Sequence, residues 1–319
     1  MSRIDSALAK DPFTVDETQC MLLGDLLKAF SPGDSKQRWS GLSKESQVCF
    51  KIFFVAICHQ INWDFLQERL FEGFASPDVE VMLHAAAEAS PTYIEQILFG
   101  YHKPERIRAA ERAKYLRQTA AALRESFDGK VLRLVETGSV FGDSGFISRL
   151  DKLPAFAEDP LRKKSSALAQ ELARERIVEF IDSAEIPPAI DYHLIRLYLR
   201  TGRVIPTSES VFNSLTTGVT HRPRLLKLLR AATSRALVTT AQYAGLPVHE
   251  LNYLEWQLGR TRCEKDHMNC TGAWPDELAD MSIRELSEDC PLRSSCLAFS
   301  TLEWRKLIEP ALQFGKAYY

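Results

Sequence analysis

Apolar residues recur at three- and four-residue intervals along almost the whole chain, and the period-two alternation of a half-buried strand is nearly absent. The pattern predicts an all-α fold. The apolar stretch from Gln47 to Phe74 reads as one long helix or two, and Asp78 to Ala89 follows as another. Ser90-Pro91 puts a side-chain acceptor at an N-cap and a proline at the first helical position, so no backbone donor is lost as the next helix starts. From Pro104 to Ser126, Ile107, Ala110, Leu116, Ala120 and Leu123 fall on one face, and Phe127-Asp128-Gly129 closes that helix. Phe146 to Leu153 predicts a short helix, and Asp159-Pro160 the cap and first residue of another that runs to about Ser183. Ile186-Pro187-Pro188 breaks the pattern. Helices are then expected over Asp191 to Thr201, stopped by Gly202, over Pro223 to Tyr243, and over Val248 to Arg260. The first 45 residues are mixed, with a turn at Ser31-Pro32-Gly33-Asp34, and no repeat or low-complexity segment is present.

At 319 residues, 45% hydrophobic and 26% charged, the chain can bury a sizeable core as one large domain or two ordinary ones. The double proline suggests two helical subdomains with a cleft between them: 47–184 as a central domain, and 1–46 with 185–319 as the other. No apolar run approaches the roughly 20 residues that cross a bilayer. The longest, Val48 to Ile61, is interrupted by Lys51, His59 and Gln60. Met1 to Lys10 has no apolar core of a leader, so a cytoplasmic monomer without membrane contact is expected. A net charge of −2 excludes a protein that binds nucleic acid by bulk charge alone. The local balance differs. From Asp191 to Arg235, seven Arg and one Lys face two acids, and Thr217 to His249 contains no acid at all. Such a stretch is either a solvated helix face or a track for phosphates.

Of seven cysteines, Cys20, Cys49 and Cys58 sit in apolar helical sequence and read as small core residues. Cys263, Cys270, Cys290 and Cys296 lie close together, spaced Cys-x6-Cys, 19 residues, Cys-x5-Cys. Without an export signal, the cluster argues for metal rather than disulfides. Four thiolates close a structural zinc or iron–sulfur site without His267, and the lack of C-x2-4-C knuckles favours iron–sulfur over zinc.

The segment Leu254-Glu255-Trp256-Gln257-Leu258-Gly259-Arg260-Thr261-Arg262-Cys263, with its x6 and x5 cysteine gaps, resembles the lead-in to the [4Fe–4S] loop of endonuclease III-like helix-hairpin-helix DNA glycosylases. Residues 271–289 replace that family's middle Cys-x2-Cys gap. Ile190-Asp191-Tyr192-His193-Leu194-Ile195-Arg196 resembles the segment carrying its catalytic aspartate. Arg112-Ala113-Lys114-Tyr115-Leu116 resembles the helix before its hairpin, and Val55 to Trp63 the helix leading to its base-replacing loop. The hairpin over 153–164 departs most. Where the family has a glycine-rich turn that holds a DNA phosphate through backbone N–H groups, this chain reads Leu153-Pro154-Ala155-Phe156-Ala157-Glu158-Asp159-Pro160.

The resemblance implies a DNA N-glycosylase that excises a damaged or modified base, with or without lyase activity, and is associated with the nucleoid. Asp191 would be the carboxylate that stabilises positive charge on the sugar, unless it is only the cap of the following helix. Lys163 or Lys164 would be the amine that attacks C1′, with like charges nearby to lower its pKa, unless the pair is a solvated basic cluster. His59, Gln60, Asn62 and Trp63 are candidates to contact a flipped base, against the alternative of core positions. Arg196, Arg222 and Arg224, with Arg200 and Arg203, are candidate phosphate contacts. Two other readings stay open: an N-glycosidase for a modified nucleotide or RNA, and a non-catalytic nucleic-acid-binding protein.

Overall fold

The computed structural model describes residues 11–30, 41–159, 161–217, 223–272 and 289–310. In chain order they form β1 (Phe13–Val15) and α1 (Glu17–Leu27); then α2 (Lys44–Ala56), α3 (Trp63–Phe74), α4 (Val79–Ala87), α5 (Pro91–Ile97), α6 (Ala109–Phe127), α7 (Phe146–Leu150), α8 (Pro154–Ala157) and α9 (Lys163–Arg174). There follow α10 (Tyr192–Thr201), β2 (Val204–Pro206), α11 (Glu209–Ser214), α12 (Pro223–Ala244), α13 (Val248–Thr261), α14 (Leu297–Ser300) and α15 (Leu302–Arg305). The chain is mostly helical. Among the described residues the β structure is one antiparallel ribbon, with Phe13 opposite Pro206 and Val15 opposite Val204.

The described residues divide into two compact units: 11–30 with 190–310, and 41–189. Both boundaries differ slightly from the expected 46 and 185. Ser43 caps α2 through the Ser46 N–H, and the Ser46 hydroxyl donates to Pro77 O, which ties the start of α2 to its own unit. At the other end, Ile186 is buried in that unit's core and Pro187 O accepts from Gln170.

In unit 41–189 the apolar stretch becomes two helices, because Asn62 caps α3 by accepting from the Phe65 N–H. Helix α2 is apolar on every side because α3, α4, α6 and α9 all pack around it. Its Phe50, Phe53 and Phe54 meet Phe71, Phe74 and Trp63 edge to face. Lys51, in the middle of α2, is buried between Glu171 and Glu175, 2.8 Å from each, and Arg174 lies 3.0 and 3.1 Å from the same carboxylates. Burial opposes the charge on Glu171, but Arg174 and Lys51 outweigh it and hold the carboxyl near 2.

Two expected helices are shorter than their apolar patterns. The Pro104–Ser126 pattern opens as a single 3-10 turn, Pro104–Arg106, and α6 begins after Arg108 in the left-handed region (φ 47°). The carbonyls of Arg106 and Ile107 turn to the Arg112 guanidinium instead of continuing a ladder. Where a helix is expected from Asp159-Pro160 to Ser183, the described residues form the shorter α9, with a separate 3-10 turn at Ser183–Glu185, and α8 lies before it. Helix α9 stops at Arg174 because the N–H groups of Ile177 and Val178 both return to Leu172 O, burying both side chains. Pro160 lies outside the described residues.

In unit 11–30 with 190–310, glycine sets how closely helices approach. A Cβ on Gly259 of α13 would stand 2.8 Å from His193 O and 3.1 Å from its Cβ, so α10 and α13 pack backbone to backbone there. Gly259→Ala gains about 1 kcal/mol of helix propensity, yet forcing the helices apart costs about 1–3 kcal/mol. A net destabilisation of about 1 kcal/mol in urea unfolding is expected; unchanged or higher stability would show that the contact has room.

Candidate functional site

The four clustered cysteines are brought together on two strips of backbone. Cys263 follows α13 and pairs with Met268 across a tight turn, with Asn269 N donating to Arg262 O at 2.8 Å. Cys290 N donates to Cys270 O at 3.0 Å, which joins the second strip to the first, and Cys296 begins α14. The four thiols lie within one another's electrostatic reach. Burial, and then the neighbouring sulfurs Cys270, Cys263 and Cys296, push Cys290 up to about 12. Burial with Cys263 and Cys270 lifts Cys296 to about 11, and Cys270 is also raised. Buried, mutually repelling thiols cannot ionise together without a cation among them; a metal removes their protons outright. The donor set therefore suits a thiophilic metal. Among the described residues, no three His, Cys, Asp or Glu side chains are placed to hold one single ion. His267 is exposed on the first strip, and 273–288 of the inserted stretch lie outside the described residues.

Helix α10 ties that loop to Asp191. The Asp191 carboxylate is 6% exposed and caps α10: Oδ1 accepts from the N–H groups of His193 (2.9 Å) and Leu194 (3.1 Å). Oδ2 accepts from Trp256 Nε1 of α13 at 3.0 Å. The cap expected from sequence is present, and a second helix holds the other oxygen. One turn further on, Arg196 is 2% exposed. Its guanidinium donates to Cys263 O (2.7 Å) and Gly259 O (2.9 Å) and pairs with Glu309 (2.8 Å). Arg200 donates to Leu307 O, Glu264 O and Lys265 O and reaches Cys263 Sγ at 3.6 Å, while its own carbonyl accepts from Cys296 Sγ. Arg203 is fully buried, with Nη1 2.5 Å from Glu255 Oε1, and Tyr198 OH donates to the other Glu255 oxygen. The expected phosphate role of Arg196, Arg200 and Arg203 is corrected: all three guanidiniums are turned inward onto carbonyls, a sulfur and two carboxylates. Arg224 is exposed in the first turn of α12, and Arg222 lies outside the described residues.

The second constellation lies in unit 41–189. Lys163 and Lys164 open α9, and the structure separates them: Lys163 is half-buried, Lys164 4% exposed. Lys164 Nζ donates to Ala56 O at 2.7 Å and sits 4.7 Å from the centre of the Tyr115 ring. Burial, reinforced by Arg112 and Lys163, lowers its pKa to about 8. His59 meets the same Tyr115 ring edge on, at 6.0 Å between centres. Burial and the cations Arg112, Lys164 and Arg108 keep His59 neutral, far below the usual imidazole range. Neither ring nitrogen has a hydrogen-bond partner, though Glu111 stands 3.8 Å from Nε2. Gln60, in the left-handed region (φ 55°), accepts from Arg108. Sequence reasoning gave Arg112 and Tyr115 no site role; here Arg112 pins the carbonyls of Ile57 and His59, and Tyr115 carries the two basic side chains. Asn62 and Trp63 belong to this segment: Asn62 caps α3, Trp63 meets Phe54 edge to face, and both are half-buried.

The hairpin is closed on itself. Asp159, buried, accepts from Leu161 N (3.2 Å) and Lys164 N (2.8 Å), and Arg162 adopts φ 51° to allow it. An internal carboxylate thus fills the helix mouth that could hold a phosphate. No protein-family model matches the chain, and no curated protein matches it.

Proposed function

We propose that the chain is an N-glycosidase acting on a modified base in a nucleic acid, with Lys164 as its amine nucleophile; Asp191, which belongs to the other unit, is a separate candidate for the carboxylate that offsets positive charge on a sugar. The observation that carries the reading is Lys164 itself: a buried lysine with its pKa near 8 is about one-tenth unprotonated at pH 7, whereas an ordinary lysine is almost wholly charged. The free amine attacks C1′ as the bond to the base breaks. The electron pair leaves on the base, which takes up a proton, and loss of the amine proton with opening of the sugar ring leaves an iminium linkage. The neutral His59, with both nitrogens uncommitted, stands on the same Tyr115 ring. Asp191 has a lesser claim, because three donors already occupy its oxygens.

Cys263, Cys270, Cys290 and Cys296 are assigned as ligands of a [4Fe–4S] cluster, which when bound supplies structural bracing. A zinc ion with 2.3 Å bonds to four thiolates would draw the sulfurs to about 3.8 Å from one another. The cluster is preferred to zinc on the x6 and x5 spacing of the cysteines, which lacks the C-x2-4-C knuckles of most zinc sites.

One observation favours a substrate other than long duplex DNA. With Asp159 occupying the N–H groups at the start of α9, the hairpin offers a carboxylate where a backbone phosphate would approach. A single strand, an RNA or a free modified nucleotide makes no such demand. The test is borohydride reduction of the protein with abasic oligonucleotides, single- and double-stranded. A covalent adduct, stronger with the single strand, is expected; no adduct with either would remove the amine mechanism.

A further inference from the structure

Between α5 and α6, in the same unit as Lys164, runs a loop that sets an exposed ring among cations. Phe99 is 76% exposed, and His102, Lys103 and Arg106 also face solvent. From 99 to 108, Lys103, Arg106 and Arg108 outnumber the one acid, Glu105. Arg108 is engaged by Glu111 and Gln60, but Arg106 stands 3.9 Å from Glu105 with its side chain half exposed. The backbone beneath these side chains is fastened. Phe99 N donates to Gln96 O, and Tyr101 OH accepts from Asn62 N at 3.0 Å while its ring packs on Phe65. At the far end, Arg106 O and Ile107 O accept from Arg112, whose guanidinium also holds Ile57 O and His59 O. Both ends are therefore tied to segment 56–62, whose Ala56 O receives Lys164 Nζ. A Cβ on Gly100 (φ 84°) would meet nothing within 4 Å, so the loop borders open space there. A lone exposed phenylalanine is ordinary. A ring held on a fastened loop among cations, beside a candidate nucleophile, has the make-up of a surface that stacks an unpaired base and tracks its phosphates.

We propose that residues 99–106 are a platform for a single DNA strand, with Phe99 stacking on an unpaired base and Lys103 and Arg106 meeting phosphates. That the strand is the substrate's own rests on the glycosidase reading, which the platform narrows from a free nucleotide to a polynucleotide. Bases inside a duplex keep their faces against one another and offer none to Phe99. Residues 99–108 contain no Ser, Thr, Asn or Gln to read a 2′-hydroxyl, so the platform meets base faces and phosphates and DNA suffices as its occupant.

The experiment is fluorescence anisotropy of a labelled oligothymidylate of about 12 nucleotides, titrated with the full-length protein at several salt concentrations. Phe99→Ala is expected to weaken binding by about fivefold or more, and Phe99→Trp to keep it within about twofold. Lys103→Ala and Arg106→Ala should each flatten the dependence of log affinity on log salt by about 0.7. All three positions are exposed, so each variant should unfold in urea at the wild-type midpoint. A duplex of the same length should bind about tenfold more weakly or worse, and an oligouridylate no more tightly than the DNA. Undiminished binding by Phe99→Ala, no strand binding by the wild type, or a duplex held as tightly as the strand overturns the platform. Tighter binding of the RNA overturns the choice of DNA. The same proteins are then given an abasic strand and borohydride. An adduct in wild type, with strand binding unaffected by Phe99→Ala, removes the platform and leaves the glycosidase standing. Binding that depends on Phe99, with no adduct, supports the platform and removes the amine mechanism.

Discussion

Lys164→Ala should abolish the borohydride-trapped adduct, lowering its yield at least a hundredfold, whereas Lys163→Ala should leave it within about threefold of wild type. The two lysines are adjacent in sequence and differ in surroundings: only Lys164 has its ammonium removed from water and laid on an aromatic face. The pH profile gives an independent check. With a folded pKa near 8, the free-amine fraction rises about tenfold per pH unit below that value and levels off above it. Trapping should therefore climb from pH 6 to 8 and then flatten. A profile that keeps rising to pH 10 would mean a solvated lysine is reacting. Stability must move in the same direction. The unfolded chain holds this proton up to about 10.5 and the folded chain releases it near 8, so the unfolded state binds more protons between those values and stability rises with pH across that window. Lys164→Met should remove that rise.

Glu255→Ala should be the most damaging single substitution for stability, by about 3–5 kcal/mol in urea unfolding. Glu255 and Arg203 are both fully buried, and the carboxylate also takes the Tyr198 hydroxyl, while Arg203 lies 3.7 Å from the Tyr198 ring. Removing the carboxylate leaves a guanidinium in the interior with its main partner gone. Replacing both charges together, Glu255→Leu with Arg203→Met, should recover most of the loss, because burial of the pair itself contributes little net stability. A loss below about 1 kcal/mol for the single variant would mean that water reaches Arg203 and screens it.

Much of the helical framework was readable from short-range rules. Ser90-Pro91, Asp191 and Gly202 each do locally what their residue types predict, and Asp191 accepts from the two amides its cap position demands. The ribbon was not readable, because three-residue strands are too short for alternation to register. The end of α9 was missed because Ile177 and Val178 continue the apolar spacing while their N–H groups turn back to Leu172. At the candidate site, the grouping of four cysteines was legible from spacing, but the arginines were not. A guanidinium offers the same five donors to a phosphate and to backbone carbonyls, so a run of arginines at helical spacing does not reveal that Arg196 and Arg200 face inward. The choice between Lys163 and Lys164 depended on which one the Tyr115 ring covers, a contact between residues 49 positions apart.

The unit made from 11–30 and 190–310 has a consequence for how the chain is produced. Strand β1 has its partner in β2 and α1 packs on α12, so the earliest described segment finds its place only after some two hundred further residues have been synthesised. Residues 41–189, with their own core, can collapse while still near the ribosome. Leu23 and Leu27, meanwhile, wait in the open beside a growing chain. Completion thus does not follow the order of synthesis: residues 41–189 can settle before segment 11–30 meets the later elements that cover it.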